Sequence, residues 1–309
     1  MGTWGPGLYS SDLASDLRST IGAVTRLPFD EAQLVQILRE SEPDAADDPA
    51  NEDYTVFWLV LADQFEKRGI ASALVRDTAL VIIDDGTDIA RFRELGLRDV
   101  DARKRAKALG ELRARLVAAA PTSKPRTVLR APQPYTLEFG GVYAYPTKGG
   151  ASINPYMGAK WFDRAAWKPD GYALMVIVNR GRAFDYLAWY QPLVSVGAMV
   201  EKPSPTSIPE DMIWRLKLPG TCSPAHFKKM ELEAVGQLTL DVDKLRARFP
   251  AREGRASWGW DGRVQAINDI SIVNDMSVAP TLAAAMASAT ANLDRDASLI
   301  KGLGELLPG

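Results

Sequence analysis

The sequence predicts an α+β fold, with an N-terminal all-helical domain followed by a mostly antiparallel β-rich domain with a few helices. Three observations carry that expectation. Apolar residues recur every three to four positions from residue 10 to 119. Four prolines then fall between residues 121 and 134. Beyond them the apolar pattern changes to period two, with Gly, Pro, Asn and Asp between the runs. The expected division is a helical domain over 1–120, a proline-rich linker over 121–134, and a β-rich domain with a C-terminal helix over 135–309.

The chain opens MGTWGPGLYSSDLASD. This reads as a structured opening and not a targeting leader, because no basic segment precedes an apolar one. Pro6 also stands where a myristoylation motif needs Ser or Thr. Trp4 among Gly2, Gly5 and Gly7 reads as a core anchor, with an exposed binding aromatic as the alternative. A first helix starts at Ser10 or Ser11. Asp30 caps the next, with Gln33 completing a capping box and Leu34, Ile37 and Leu38 as the buried stripe. The acidic run SEPDAADDPANED over 41–53, with two prolines, is expected as an exposed loop. Asp53 is placed to cap a helix carrying Phe57, Leu61 and Phe65, with Val56 and Val60 alongside, which Gly69 ends. A third strong helix over 71–84 has Leu74, Thr78, Val81 and Ile82 on one side. Ile89, Phe92 and Leu95 mark a short helix, and a long basic helix runs over 99–119.

In the second half, strands are expected at 142–145, 172–178, 184–190, 193–200, 212–218, 232–240 and 264–273. Short helices are expected at 224–230 and 241–249, and an alanine-rich one at 279–293.

Composition excludes several classes of function. A net charge of −2 gives no overall pull toward nucleic acid or anionic membrane. No apolar run approaches the length of a membrane span. Cys222 is the only cysteine and His226 the only histidine. No internal disulfide can form, and a cytoplasmic location is expected. A structural zinc site, with its four Cys or His ligands, is excluded. A Ser-His-Asp triad would have to use His226. No Walker, dinucleotide-binding, nucleophile-elbow, zincin or EF-hand pattern occurs.

The first half resembles a bacterial family of unknown function whose members open Met-Gly-Thr/Ala-Trp-Gly-x-Gly. The likeness rests on Gly2, Trp4, Gly5, Gly7, Asp12 and Asp16, and on the segments VFWLVLA at 56–62 and ALVIID at 79–84. The chain departs from it at Pro6, Leu8 and Ser15. The resemblance implies no catalytic residue. The segment FGGVYAYP at 139–146 resembles the first strand of a β-rich module in bacterial immunity proteins that neutralise toxins, with Gly141 where that module has an acid.

Each candidate site has a structural alternative. Cys222 and His226 are four apart, as a thiolate–imidazole pair could be. Ser223 as N-cap, Pro224 at N1 and a Cys222–Phe227 staple explain the same letters. Asp12 and Asp16 would share a helix face and could hold a divalent ion, or could complement the helix dipole. Between residues 98 and 130 there are ten Lys or Arg against three acids. Of these, Arg103, Lys104, Arg105 and Lys107 are the candidate phosphate contacts, or a solvated face. Asp44, Asp47, Asp48 and Glu52 are candidate contacts for a basic partner. Trp258 and Trp260, in WGWDG, are either an exposed partner-binding tip or a hairpin corner.

The expected function is non-enzymatic: a protein-binding factor of immunity, antitoxin or phage-defence type that occludes its partner. It needs no cofactor and no metal, and makes no membrane contact. The alternatives are a carboxylate- or metal-dependent enzyme on nucleotides or nucleic acid, and a nucleic-acid-binding accessory subunit.

Overall fold

The computed structural model describes residues 5–96, 98–118, 126–153, 163, 165–204, 207–221, 224–250 and 282–308. The chain divides into two compact units, Met1–Ala131 and Pro132–Gly309. The first is helical and the second is built on an antiparallel sheet with a few helices, which is the α+β fold the sequence predicts.

The helical unit contains α1 (Asp12–Val24), α2 (Glu31–Ser41), α3 (Pro43–Asp47), α4 (Tyr54–Lys67), α5 (Ala73–Asp84), α6 (Thr87–Glu94) and α7 (Asp99–Val117). Ser11 caps α1 by accepting from Ala14 N at 3.2 Å. The Asp30/Gln33 capping box on α2 is fully formed. Helix α4 is the axis of the unit. It packs against α1, α3, α5, α6 and α7, and every residue from Thr55 to Phe65 is buried. A helix that is apolar nearly all round belongs in such a position.

Three local expectations are corrected. The acidic run is not simply an exposed loop. It contains α3, which starts on Pro43 and buries Ala45 and Ala46. The Trp58 indole N–H donates to the Ala46 carbonyl at 3.1 Å, which pins α3 against α4. Asp53 holds the N-cap position of α4 without a side-chain cap, because its backbone is helical (φ −94, ψ −4) and not extended. On α5 the buried stripe is Val75, Ala79 and Ile82, while Leu74 and Val81 are exposed. Both stripes on α5 have helical spacing, and Ala79 is the residue small enough for close approach.

Residues 126–129 of the proline-rich segment are tied to the helical unit, while Gln133 N donates to Tyr186 O at 2.9 Å. Arg126 Nη1 donates to the Thr25 and Leu27 carbonyls, each at 2.8 Å, and Leu129 N donates to Arg26 O at 2.8 Å.

The second unit contains β1 (Gly141–Lys148), β2 (Ala151–Ser152), β3 (Gly171–Ala183), β4 (Leu187–Ser195), β5 (Ile213–Leu216), β6 (Gly220–Thr221), α8 (Pro224–Lys229), β7 (Glu233–Gln237), α9 (Val242–Arg248), α10 (Leu282–Asn292) and β8 (Leu299–Lys301). The strand order is β2-β1-β3-β4-β5-β8, with β7 also paired to β1 and β6 to β4. All of these pairings are antiparallel.

Both faces of the sheet are covered, which explains the unbroken apolar run in β3. Leu174, Val176 and Val178 point into one core with Val142, Leu193, Trp214, Leu245 and Phe249. Ala173, Met175 and Ile177 point into the other with Tyr143, Tyr145, Tyr190, Phe227 and Met230. The residues expected as two strands on either side of Pro192 form one strand, β4. The β3–β4 register shifts between Ile177 and Asn179, opposite Pro192, so the missing proline N–H falls where the ladder is already irregular. Gly181 lies opposite Trp189, and a Cβ there would sit 2.6 Å from the indole. At Gly140 (φ +75) a Cβ would overlap the Leu238 carbonyl oxygen, so the glycine before β1 is sterically required. The strand expected at 264–273 lies outside the described residues.

Candidate functional site

The acidic corner is presented by α3 and the turn that leads to α4. Asp44, Asp47, Asp48 and Glu52 are all exposed. The backbone beneath them is fixed. Ala45 and Ala46 are buried, and Arg91 on α6 donates to the carbonyls of Pro49 and, at 2.8 Å, Asn51. Asp48 accepts from Ala50 N at 2.8 Å, and Asp47 pairs with Arg39 at 2.6 Å. Further acids lie behind this edge. The Glu42 carboxyl is pushed up by burial, then by the charges of Asp16 and Asp53. Asp53 is pushed up by burial and then by Glu52. The corner therefore concentrates negative charge on a rigid frame.

The basic face is smaller than the sequence implies. Arg103, Lys104 and Lys107 are exposed on α7, with Lys104 3.3 Å from Asp101. Arg105, expected with them as a phosphate contact, instead points inward on the stripe Ala102, Arg105, Leu109, Leu112. Its side chain is 2% exposed and forms a bidentate pair with Asp88 of α6, Nε–Oδ2 at 2.5 Å and Nη2–Oδ1 at 2.9 Å. Its Nη1 donates to Gly7 O at 3.0 Å, and the guanidinium lies 3.7 Å from the centre of the Phe92 ring. Arg105 thus ties the N-terminal segment, α6 and α7 together.

A second polar cluster carries no motif in the sequence. Asp63, near the end of α4, has a side chain only 3% exposed. It accepts from the Tyr9 hydroxyl, from Lys67 Nζ at 2.6 Å, and from Arg115 of α7. Arg115 also reaches Glu66 at 3.1 Å. Gln64 donates to the Tyr9 oxygen and accepts from Arg68, so a chain of donors runs Arg68, Gln64, Tyr9, Asp63. Burial, followed by the bond to Asp63, raises the Tyr9 hydroxyl well above the usual phenol range, so it stays a donor. One sequence signal could have found the cluster: Val56, Val60, Asp63 and Lys67 follow one helical stripe, which places Asp63 on a buried line.

Asp12 and Asp16 are both exposed on α1. Among the described residues, no group of three or more His, Cys, Asp or Glu could hold a metal ion. His226 lies on α8, which starts at Pro224, while Cys222 falls outside the described residues. Trp4, Trp258 and Trp260 also lie outside them. Among the described residues, no helix is long and apolar enough to cross a membrane.

No protein-family model, curated protein or solved structure matches the chain.

Proposed function

We propose that the chain is a non-enzymatic binding protein that uses the acidic corner to occlude a basic surface on another protein. One observation carries the reading: Asp44, Asp47, Asp48 and Glu52 are exposed on a backbone already fixed by Trp58 and Arg91. A charged surface that is ordered before binding loses little further entropy on association. It also steers a partner of opposite sign and repels wrong ones. The half-buried acids behind the edge, Glu42 and Asp53, are held at a cost that a cationic partner would relieve. Occlusion of this kind fits an immunity, antitoxin or phage-defence role, in which the target is a basic, nucleic-acid-cleaving protein.

The test uses two baits in extracts of the native host at moderate salt: the wild-type chain and an Asp44→Asn, Asp47→Asn, Asp48→Asn, Glu52→Gln variant. The expected result is one stoichiometric basic protein held by the wild type, released by high salt and not held by the variant. Equal retention by both baits, or recovery of the chain alone, would overturn the reading.

A further inference from the structure

The Tyr9 cluster holds more positive charge than its structural role requires. Arg115 is matched by Asp63 and Glu66, and Lys67 by Asp63. Arg18 and Arg68 are not matched: among the described residues, neither has a carboxylate within ion-pair distance. Four cations (Arg18, Lys67, Arg68, Arg115) thus face two carboxylates (Asp63, Glu66), which leaves an excess of two positive charges.

The two unmatched guanidinium groups converge. Arg18 of α1 lies over the Tyr9 ring, 5.0 Å from its centre, and Lys67 lies 5.5 Å from the same ring. Arg68 is bound to Gln64, which is itself bound to the Tyr9 hydroxyl. Its Nη2 passes Gly22, where a Cβ would be 3.7 Å away. Gly22 is one helical turn beyond Arg18, so Arg68, at the end of α4, lies against the face of α1 that carries Arg18. Arg68 is half-buried, and its pKa is lowered chiefly by that burial; Arg18 adds to the lowering, while Tyr9 and Asp63 partly offset it. Two like charges kept together, one half-buried and one exposed, with a lysine beside them, are what an oxyanion would stabilise. Guanidinium groups suit the task, because they bind phosphate oxygens through paired, charge-assisted hydrogen bonds.

We infer that Arg18, Arg68 and Lys67 around Tyr9 form a binding site for a phosphate monoester dianion carried by a small molecule. The excess of two positive charges selects a dianion over a carboxylate or a single phosphodiester. Asp63 and Gln64 take no part in the contact. They hold Lys67 and Arg68 in place and keep Tyr9 as the floor of the site. The site is separate from the acidic corner and does not rest on the reading given for that corner.

The experiment is a titration of the full-length chain with inorganic phosphate at pH 8, against sodium chloride of matched ionic strength. Thermal unfolding and the 31P line width are followed together. The wild type is expected to show a saturable rise in unfolding temperature with parallel broadening of the phosphate signal. Arg18→Gln, at an exposed position, should bind about tenfold more weakly or worse, as expected for loss of a charge-assisted hydrogen bond. Arg68→Gln should do the same. Arg103→Gln, on the outer face of α7, should bind like wild type. No saturable effect beyond chloride would overturn the proposal. So would binding that survives in both Arg18→Gln and Arg68→Gln. Retention of duplex DNA without any response to inorganic phosphate would also overturn it, in favour of a nucleic-acid surface.

Discussion

The helical unit and the sheet unit both bury apolar cores, but the helical unit adds buried charge. In the helical unit, buried charge fixes the N-terminal segment: Arg105 joins Asp88 to Gly7, and Asp63 gathers Tyr9, Lys67 and Arg115. In the sheet unit, two apolar layers interdigitate on opposite faces of one sheet, with Trp214 and Tyr190 among the largest fully buried side chains. Buried ion pairs cost desolvation and impose a particular geometry. Apolar layers are less directional and respond to volume. The first unit, whose apolar core is also large, should therefore be sensitive to charge, pH and salt in addition to cavities, and the second mainly to cavities.

The two largest expected effects, one per unit, are of equal size and opposite character. Trp214→Ala should destabilise the sheet unit by about 3–5 kcal/mol. Trp214→Phe should cost far less, because the indole N–H has no hydrogen-bond partner among the described residues. Asp88→Ala should destabilise the helical unit by about 3–5 kcal/mol, since it leaves the Arg105 charge buried and unmatched. Adding Arg105→Met should recover most of that loss. Hydrogen exchange read by mass spectrometry would place each loss in its unit. If Asp88→Ala with Arg105→Met were no better than Asp88→Ala alone, the ionic account of the helical unit would fail.

The sequence made the fold class legible because periodicity reports burial, and burial is strong in both units. The Asp30/Gln33 box and the helix starting at Pro224 were readable for a more local reason: capping chemistry is written within four residues. Short elements were not readable. Strands β2 and β6 are two residues long and β8 three, too few for any period to show. Helix α3 was hidden by its acids and prolines, since its burial depends on Trp58, which lies in another helix. Arg105 looked like one more cation in a basic run. Its partner Asp88 lies 17 residues earlier, and only folding brings the two together. The Tyr9 cluster draws on three separated stretches for the same reason, and the sequence shows only that Asp63 falls on an apolar stripe.

Smaller effects sharpen the contrast at the helix ends. Asp30→Ala removes the side-chain acceptor for Gln33 N, now at 2.9 Å, and leaves only the half of the box in which the residue 30 backbone N–H donates to Gln33 Oε1. The cost should be about 1 kcal/mol, visible as a lower urea midpoint with an unchanged slope. A larger loss would mean that the start of α2 supports more of the unit than its own first turn.

The smallest effect concerns the acidic corner, and its sign differs from the others. Folding raises the Glu42 carboxyl, first by burial and then through Asp16 and Asp53. Between the unfolded and folded values the folded chain holds the proton more tightly, so stability falls as pH rises through that window. At neutral pH the ionised Glu42 is then a net cost, and Glu42→Gln should stabilise the helical unit. The gain should stay below about 1 kcal/mol, because the group is half exposed and screened by solvent. Urea midpoints at pH 4 and pH 7 would measure it: wild type should lose stability between these values relative to Glu42→Gln. Asp84 and Asp101 oppose this trend. Their carboxyls are lowered by hydrogen bonds from Arg113 and Arg98, and their contribution fades as pH falls. The difference between wild type and Glu42→Gln cancels that background and isolates the corner. If a basic partner covers the corner, its charge should bring the Glu42 carboxyl back down, and the difference between the two proteins should shrink in the complex. An undiminished difference in the complex would place the partner elsewhere on the chain.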